Sequence, residues 1–398
     1  MGVEIVPIDG PKGRDRFLRL PWRLYADDPA WVPNLLLLQR ETVDSKKNPF
    51  FEHGEAQLFL ARRDGRDVGR VSAHIDRLHN EFHGEKTGFF GFFECVDDPQ
   101  VAGALFGAAE AWLREREMER ARGPMNFSVN EEVGLLVEGF EHPPMIAMTH
   151  SLPYYDRLVK GAGYEKAVDL YAYRWEIKPP PERIMKAVQM AREAPGVRAR
   201  TVDMRHLQRD VEIMLDIYND AWKDNWGYVP ATPREAKKMA SDLRLIADPN
   251  IGIIVEVDGE PAGMIIGLPN LYECIRDFRG FINPWNAVKL FWRLKVRKPE
   301  TGRLLLFGVR QKFRRVRALA GLPFLLLYEL YLGSQKGRYK WGEMSWVLEN
   351  NGALNAIMPY WDAYVYKRYR IYEKTLLPPG SPPPGGQGPS IAPQGGRP

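Results

Sequence analysis

The stretch LFLARRDGRDVGRVSAHI (58–75) reads as a β-hairpin, because an apolar run, a polar turn and a second apolar run follow one another. A second stretch, IGIIVEVDGEPAGMIIGL (251–268), repeats the pattern, and the two turns align as D-G-x-x-V-G and D-G-x-x-A-G. Further along, PYYD (153–156) matches PYWD (359–362), and a strand-like aromatic stretch follows each of them. Two markers in the same order indicate an internal repeat.

Each copy of the repeat adds the same elements between its two markers. GFFGFFECV precedes a helix that begins at Pro99, and RLLLFGV precedes a helix that begins at Leu322. A further strand is expected near MNFSVN (125–130) in the first copy and EMSWVL (343–348) in the second. The prediction is an α/β fold of the α+β type with two tandem domains, each a mixed, mostly antiparallel sheet flanked by helices.

Chain length supports this division, because 398 residues exceed the size at which one hydrophobic core usually stops growing. The predicted boundaries are 1–178 for the first domain, 179–196 for a connector and 197–377 for the second domain. Residues 378–398 are rich in proline and glycine and lack apolar periodicity, so we predict a disordered tail there.

Several classes of protein and site are disfavoured by the sequence. Cys95 and Cys274 are the only cysteines, so neither a disulfide framework nor a multi-cysteine zinc site is expected. The histidine pair at 79–83 has the order H-x-E-x-H, which is not the zinc-helix pattern, and no metal is expected. The N-terminus lacks a signal-peptide core, and the longest apolar run, 322–332, is too short to span a bilayer. We predict a cytoplasmic protein, with peripheral contact at the inner membrane left open.

Positive charge is concentrated between residues 289 and 317, which suits a phosphorylated ligand or an anionic membrane surface better than DNA. Within this region, the segment 281–298 has an apolar helical stripe surrounded by basic side chains. The stripe consists of Phe281, Trp285, Val288 and Trp292, and the basic residues are Lys289, Arg293, Lys295 and Arg297. Such a helix could rest on a membrane, cover an acyl chain or pack on its own domain.

The order of elements resembles the GNAT superfamily of N-acyltransferases over almost the whole chain. In that family the turn after the fourth strand carries R/Q-x-x-G/A-x-G/A, and its amides hold the CoA pyrophosphate together with the next helix N-terminus. RVRALA (315–320) fits this pattern. The resemblance implies acyl-CoA as a co-substrate, no permanently bound cofactor, and CoA contacts from Val309, Arg314, Arg315, Arg317, Ala318, Ala320 and Asn351.

The corresponding turn of the first copy, DDPQVAG (97–103), differs in charge. Two aspartates there would repel a pyrophosphate, and Asp98 before Pro99 is typical of an ordinary helix N-cap. We therefore expect the first domain to lack a CoA site and to shape the pocket of the amine acceptor. Its polar residues Glu94, Asn126 and Asn130 are the predicted acceptor contacts, although such residues also serve as strand-end caps and in turns.

Acyl transfer to an amine needs a base for the ammonium and an acid for the departing thiolate. By resemblance to the GNAT superfamily, the base would be a carboxylate on the fourth or fifth strand, often acting through water, and the acid a tyrosine on the following helix. Glu343 and Glu349 are the candidate bases, and Tyr360 is the candidate acid.

A narrower resemblance lies in LPWRLYADDPAWVP (20–33), KNPFFEHGEAQLFLARRDGRDVGRV (47–71), GFFGFFE (88–94) and PYYD. These motifs are similar to a bacterial GNAT-like family that includes bacterial ceramide synthases. The resemblance implies an acyl-CoA-dependent N-acyltransferase, with a sphingoid base as one candidate acceptor of a long acyl chain. Two alternatives stay open: an aminoacyl-tRNA-dependent transferase, which the absence of an RNA-binding signature disfavours, and a non-catalytic lipid- or protein-binding module.

Overall fold

The computed structural model describes residues 2–376, so the predicted tail at 378–398 lies outside the described residues. The first half contains, in chain order, β1 (Glu4–Ile8), α1 (Gly10–Arg19), α2 (Pro21–Leu24), α3 (Leu36–Thr42), β2 (Gly54–Arg63), β3 (Arg66–Asp76), α4 (Arg77–His83), β4 (Thr87–Cys95), α5 (Pro99–Arg114), β5 (Arg120–Gly123), β6 (Leu135–Glu138), α6 (Tyr155–Gly161) and β7 (Glu165–Glu176).

The second half follows a similar succession, with two helices between its third and fourth strands where the first half has only α4. Its elements are α7 (Glu182–Glu193), β8 (Val197–Thr201), α8 (Leu207–Trp222), α9 (Pro233–Ile246), β9 (Gly252–Val257), β10 (Glu260–Pro269), α10 (Leu271–Ile275), α11 (Pro284–Trp292), β11 (Thr301–Val309), α12 (Gln311–Arg314), α13 (Leu322–Gly337), β12 (Trp341–Leu348), α14 (Gly352–Ile357) and β13 (Tyr364–Thr375). Both predicted hairpins are confirmed as β2–β3 and β9–β10. No helix within residues 2–376 combines the length and apolar character needed to cross a membrane.

The strands form one continuous sheet in the order β1-β2-β3-β4-β5-β13-β7-β12-β11-β10-β9-β8, and β6 also pairs with β13. The final strands of the two halves are exchanged: β13 lies beside β5 of the first half, and β7 lies beside β12 of the second. β7 and β13 also pair with each other over most of their length. The two halves therefore share backbone hydrogen bonds as well as side-chain contacts.

Helices cover both faces of the sheet, which confirms the predicted mixed α/β fold. In the second half, α13 and α7 pack on one face of β9 and β10, while α8 and α9 pack on the other. The predicted connector, 179–196, contains α7, whose Ile184, Val188 and Ala191 are buried. In the first half, α5 packs on β2 and β3 through its apolar stripe. These layers hold the sheet from which the site is built.

The strand predicted near residues 125–130 is present but lies earlier in the chain. Residues 125–130 form a loop, and the fifth strand of the first half is β5, five residues earlier. The side chain of Asn126 explains the loop, because its Oδ1 accepts from the Phe92 N–H at 2.8 Å and its amide donates to Glu132 at 3.0 Å. Side-chain bonds of asparagine to the backbone compete with strand pairing in this way.

Candidate active site

An open cavity of about 390 Å³ lies between β11 and β12 in the second half. These strands are parallel and pair only as far as Leu304 and Met344, beyond which they separate like the arms of a fork. The walls of this fork cavity come from 304–309 of β11, 344–348 of β12, the start of α13 and helix α14. Most of the lining is apolar, including Leu305, Phe307, Trp346, Val347, Leu354 and Ile357.

The open end of the fork cavity has features of a phosphate site. β11 ends at Val309, and α13 begins at Leu322 after a connection that contains α12, with Ala320 and Pro323 in the cavity lining. The first turn of a helix has N–H groups without helical acceptors and a partial positive charge, which together favour an anion. The predicted contacts Val309, Arg314, Ala320 and Asn351 all line this cavity.

Arg314 shapes the turn by bonding to the backbone. Its Nε donates to the Val309 carbonyl at 2.6 Å, and Nη2 donates to the Ala221 carbonyl of α8 at 2.8 Å. The residue is exposed overall, but partial burial of its guanidinium lowers the pKa of Arg314. Its guanidinium therefore ties the end of β11 to α8 and leaves less of its hydrogen-bonding capacity for a ligand.

The other predicted residues of the turn lie at its surface. Arg315, Arg317 and Ala318 are exposed and lie outside the cavity lining. Within residues 2–376, neither of these two arginines forms an ion pair with a carboxylate, whereas Lys312 in the same turn pairs with Glu260 at 2.5 Å. Arg315 and Arg317 are therefore available to an anionic ligand at the mouth of the cavity.

Both arms of the fork deviate from regular strand pairing beside the cavity. On β11, Leu305 is an extra residue between the pairs Ile266–Leu306 and Gly267–Leu304. On β12, the pairing with β7 shifts between Met344 and Val347. Bulges leave backbone groups outside the ladder and re-aim side chains. The bulges therefore place Leu305 and Ser345 in the cavity lining.

Glu343 lies beside the cavity, fully buried on β12, and Ser345 connects it to the lining. The Ser345 hydroxyl donates to Glu343 Oε1 at 2.5 Å and accepts from Arg303 Nε at 2.9 Å. Tyr366 donates to Glu343 Oε2, and the buried Lys367 Nζ lies 3.9 Å from the same oxygen. Burial lowers the pKa of Lys367 and raises that of Tyr366.

The other two predicted catalytic residues lie outside the cavity lining. Glu349 accepts from Lys166 Nζ at 2.7 Å and from the Asp169 N–H at 2.9 Å, so it joins β12 to β7. Tyr360 is 49% exposed, and its ring lies near the Arg183 guanidinium. The structure thus brings Glu343 to the cavity through Ser345 but does not bring Glu349 or Tyr360 there.

At the end of β4 in the first half, two neighbouring tyrosines pack against the strand. Tyr154 donates to the Cys95 carbonyl at the end of β4 at 2.8 Å, and the Tyr155 ring lies 5.5 Å from that of Phe93. At the following turn, Asp98 caps α5 by accepting from the Gln100 N–H at 2.8 Å. The aspartate expected to repel a pyrophosphate therefore serves as a helix cap.

A smaller polar cavity of about 90 Å³ lies in the first half and contains two of the three predicted acceptor contacts. Glu94 and Asn126 line it together with Arg70 and Glu132. Burial raises the pKa of both Glu94 and Glu132, although hydrogen bonds and the Arg70 charge oppose this effect. Asn130 lies elsewhere, where it accepts from Tyr218 at 2.6 Å.

Sequence reasoning missed several residues of both cavities. Ser345 follows Glu343 by two positions, so both fall on one face of a strand, and this spacing was a usable signal. Arg303 had no such signal, because its contact with Ser345 depends on the register that pairs it with Glu343 across β11 and β12. Arg70 likewise lies opposite Glu94 only through the pairing of β3 with β4.

Comparisons with known proteins agree with this architecture. The chain is 42% identical to the bacterial ceramide synthase of Caulobacter vibrioides over 376 residues, covering 94% of this chain and 98% of that protein. It is 37% identical to the protein YghO of Escherichia coli over 365 residues, covering 90% and 92%. A scan against protein-family models finds no match.

Solved structures show the same fold at low sequence identity. A tandem GNAT protein from the clavulanic acid biosynthesis pathway has a TM-score of 0.54 at 12% identity and covers 94% of this chain and 99% of its own. A GCN5-related N-acetyltransferase from Sphaerobacter thermophilus has a TM-score of 0.53 at 16% identity, covering 94% and 96%. These neighbours confirm the tandem GNAT fold. The chain therefore belongs to the bacterial ceramide synthase family and has the fold of tandem GNAT acyltransferases.

Proposed function

We propose that the protein is an acyl-CoA-dependent N-acyltransferase that transfers a long acyl chain to the amine of a sphingoid base. The fork cavity between β11 and β12 carries this proposal, because it is open, largely apolar and bordered by the start of α13. The identity of 42% to a bacterial ceramide synthase supports this choice of acceptor. No feature of the described residues favours aminoacyl-tRNA as the donor.

In the proposed complex, acyl-CoA lies along the fork. Its pyrophosphate meets the α13 N-terminus, where Arg315 and Arg317 add positive charge and form no ion pair with a carboxylate of residues 2–376. Asn351 caps α14 by accepting from the Leu354 N–H at 3.1 Å, which leaves its side-chain NH₂ group for the pantetheine arm. The thioester lies near Leu305, where the bulge frees backbone groups to bond its carbonyl oxygen.

The balance of protons shows that the reaction needs a base. The amine nitrogen forms a bond to the thioester carbon, the carbon–sulfur bond breaks, and CoA leaves as a thiol. Because the amine arrives as an ammonium ion, one proton is released for each amide formed, and a second moves from nitrogen to the thiolate. Glu343 receives the first proton through the Ser345 hydroxyl, which lines the cavity and bonds to the carboxylate.

The polar cavity of the first half is the proposed site for the head of the acceptor. Glu94 and Asn126 line it, and Glu132 adds a second carboxyl group, so the cavity offers acceptors to hydroxyl and ammonium donors. Substrates of this kind partition into bilayers. We therefore place the enzyme at the inner face of the membrane, in peripheral contact with anionic lipid.

The test is product formation by the purified full-length protein with palmitoyl-CoA and sphinganine. We expect mass spectrometry to detect the N-acyl product and a thiol reagent to detect an equal amount of free CoA. Acetyl-CoA and a water-soluble amine serve as comparison substrates for chain length and acceptor class. Acyl transfer from aminoacyl-tRNA alone, or CoA release without an amide, would contradict the proposal.

A further inference from the structure

The longest run of exposed apolar side chains among the described residues belongs to α11 and the turn that follows it. Trp285 is 73% exposed, Val288 62%, Phe291 60% and Val296 63%. The opposite side of the same segment is buried, since Leu290 and Leu294 pack beneath it. The apolar stripe predicted from the sequence therefore faces outward, and two leucines hold the segment on the protein.

The exposed apolar surface continues into the first half of the chain. The Leu36 N–H donates to the Gly280 carbonyl at 2.9 Å, which places the start of α3 beside the residues that lead into α11. Leu37 and Leu38 follow on α3 and are 52% and 42% exposed. We call the segment 281–298 together with these two leucines the docking face.

Unpaired positive charge accompanies these apolar side chains. Lys289 and Arg293 both pair with Asp277, whose one negative charge offsets part of theirs. Lys295 and Arg297 are exposed, and within residues 2–376 neither forms an ion pair with a carboxylate. Aromatic and aliphatic side chains next to free lysine and arginine are typical of helices that lie in the headgroup layer of a bilayer.

The positive charge of the docking face favours an anionic membrane over a second copy of this chain as its binding partner. A two-fold symmetric contact uses the same patch of both subunits, so it would bring two copies of Lys295 and Arg297 into one interface. Like charges placed opposite one another at an interface oppose association. An anionic lipid surface instead attracts them, by about 1 kcal/mol for each basic residue near the surface.

The docking face and the proposed acceptor site are connected through buried side chains. Leu290 and Leu294, which anchor the segment, pack in one cluster with Val32 and Tyr272. Val32 and Tyr272 both line the small polar cavity that contains Glu94. The leucines that anchor the segment and two residues of the cavity proposed to receive the acceptor head thus belong to one hydrophobic cluster.

We propose that the docking face binds an anionic bilayer, with Trp285, Phe291 and their apolar neighbours inserted at the boundary between headgroups and acyl chains. This inference deepens the proposed function by naming the surface from which a lipid acceptor is taken. The binding itself depends only on the docking face.

The experiment is co-sedimentation of the full-length protein with vesicles of phosphatidylcholine, with and without phosphatidylglycerol. We expect binding to the anionic vesicles, weakening as salt increases. The double variant Trp285→Ser with Phe291→Ser should bind at least about ten-fold more weakly, because each lost side chain no longer buries its apolar area. Lys295→Glu with Arg297→Glu should abolish the preference for anionic lipid.

A matched control is Met190→Ser with Leu245→Ser. It removes two apolar side chains outside the docking face, Met190 on α7, which is 62% exposed, and Leu245 on α9, which is 56% exposed. The inference would be overturned if the wild type did not bind the vesicles, or if the Trp285 and Phe291 variant bound them as tightly as the wild type. A wild-type dimer in light scattering that this variant disrupts would assign the face to a second copy instead. Vesicle binding without amide formation would support docking and contradict only the proposed function.

Discussion

His53 links the two halves of the chain, and its titration should make the stability of the protein depend on pH. Its Nδ1 lies 3.0 Å from Asp76 Oδ1 in the first half, and its Nε2 lies 3.3 Å from Glu235 Oε1 on α9 of the second. Burial lowers the pKa of His53, but the bonds to the two carboxylates raise it further, to about 9 from an ordinary value of 6.5.

The size of the effect follows from this change in pKa. A rise of about 2.5 pKa units corresponds to roughly 3 kcal/mol of folding free energy, at about 1.4 kcal/mol for each unit. Because the folded pKa lies above the unfolded one, this stabilisation is fully present below pH 6.5. It is lost as the pH rises from 6.5 through about 9.

Urea denaturation at a series of pH values measures the contribution of His53 to the free energy of unfolding. The variant His53→Gln has an uncharged side chain that does not titrate. The difference in free energy of unfolding between the wild type and this variant should be about 2 to 3 kcal/mol larger near pH 6 than near pH 9.5. His206→Gln is the control, because His206 is 63% exposed and its partner Asp203 is only three residues away. The reasoning would be refuted if the free energies of unfolding of the wild type and His53→Gln differed by the same amount at every pH.

Three further predictions concern the site, each measured with palmitoyl-CoA and sphinganine. Glu343→Gln and Ser345→Ala should each lower kcat by about 10²- to 10⁴-fold with little change in the KM for acyl-CoA, because they interrupt one proton route; a changed KM with normal kcat would contradict this. Arg315→Glu with Arg317→Glu should weaken acyl-CoA binding in calorimetry by at least about ten-fold, and less in high salt; unchanged affinity would remove both from the phosphate site. Tyr360→Phe tests the acid predicted from the sequence: its exposed position leads us to expect turnover within about two-fold of the wild type, and a large loss of kcat would return it to the mechanism.

The repeated sequence motifs predicted the fold because each motif depends on the conformational preferences of a few neighbouring residues. The turns at Asp64 and Asp258 have positive φ values of 50° and 51°, a conformation that Asp tolerates and that the following glycine adopts freely. The periodic apolar residues of α5 and the continuous apolar run of α13 likewise predicted these helices. Such signals depend on neighbours within a few residues of one another.

Long-range pairing could not be predicted in the same way. The apolar alternation of β7 and β13 identifies two strands, but it does not state which strand lies beside each, so the exchange between halves was invisible. Glu343 and Glu349 were likewise equal candidates for the catalytic base when judged from the sequence alone. Only the register of β12 against β7 and β11 buries the first beside the cavity and ties the second to Lys166.

The most direct test of the central claim is where acyl-CoA binds. Ala353 and Ala356 both lie on α14, but only Ala353 lines the fork cavity. Calorimetric titration with palmitoyl-CoA should give one site in the wild type, at least about ten-fold weaker binding for Ala353→Trp, and wild-type affinity for Ala356→Trp. Equal affinities in all three proteins would contradict the assignment of the donor to the fork between β11 and β12.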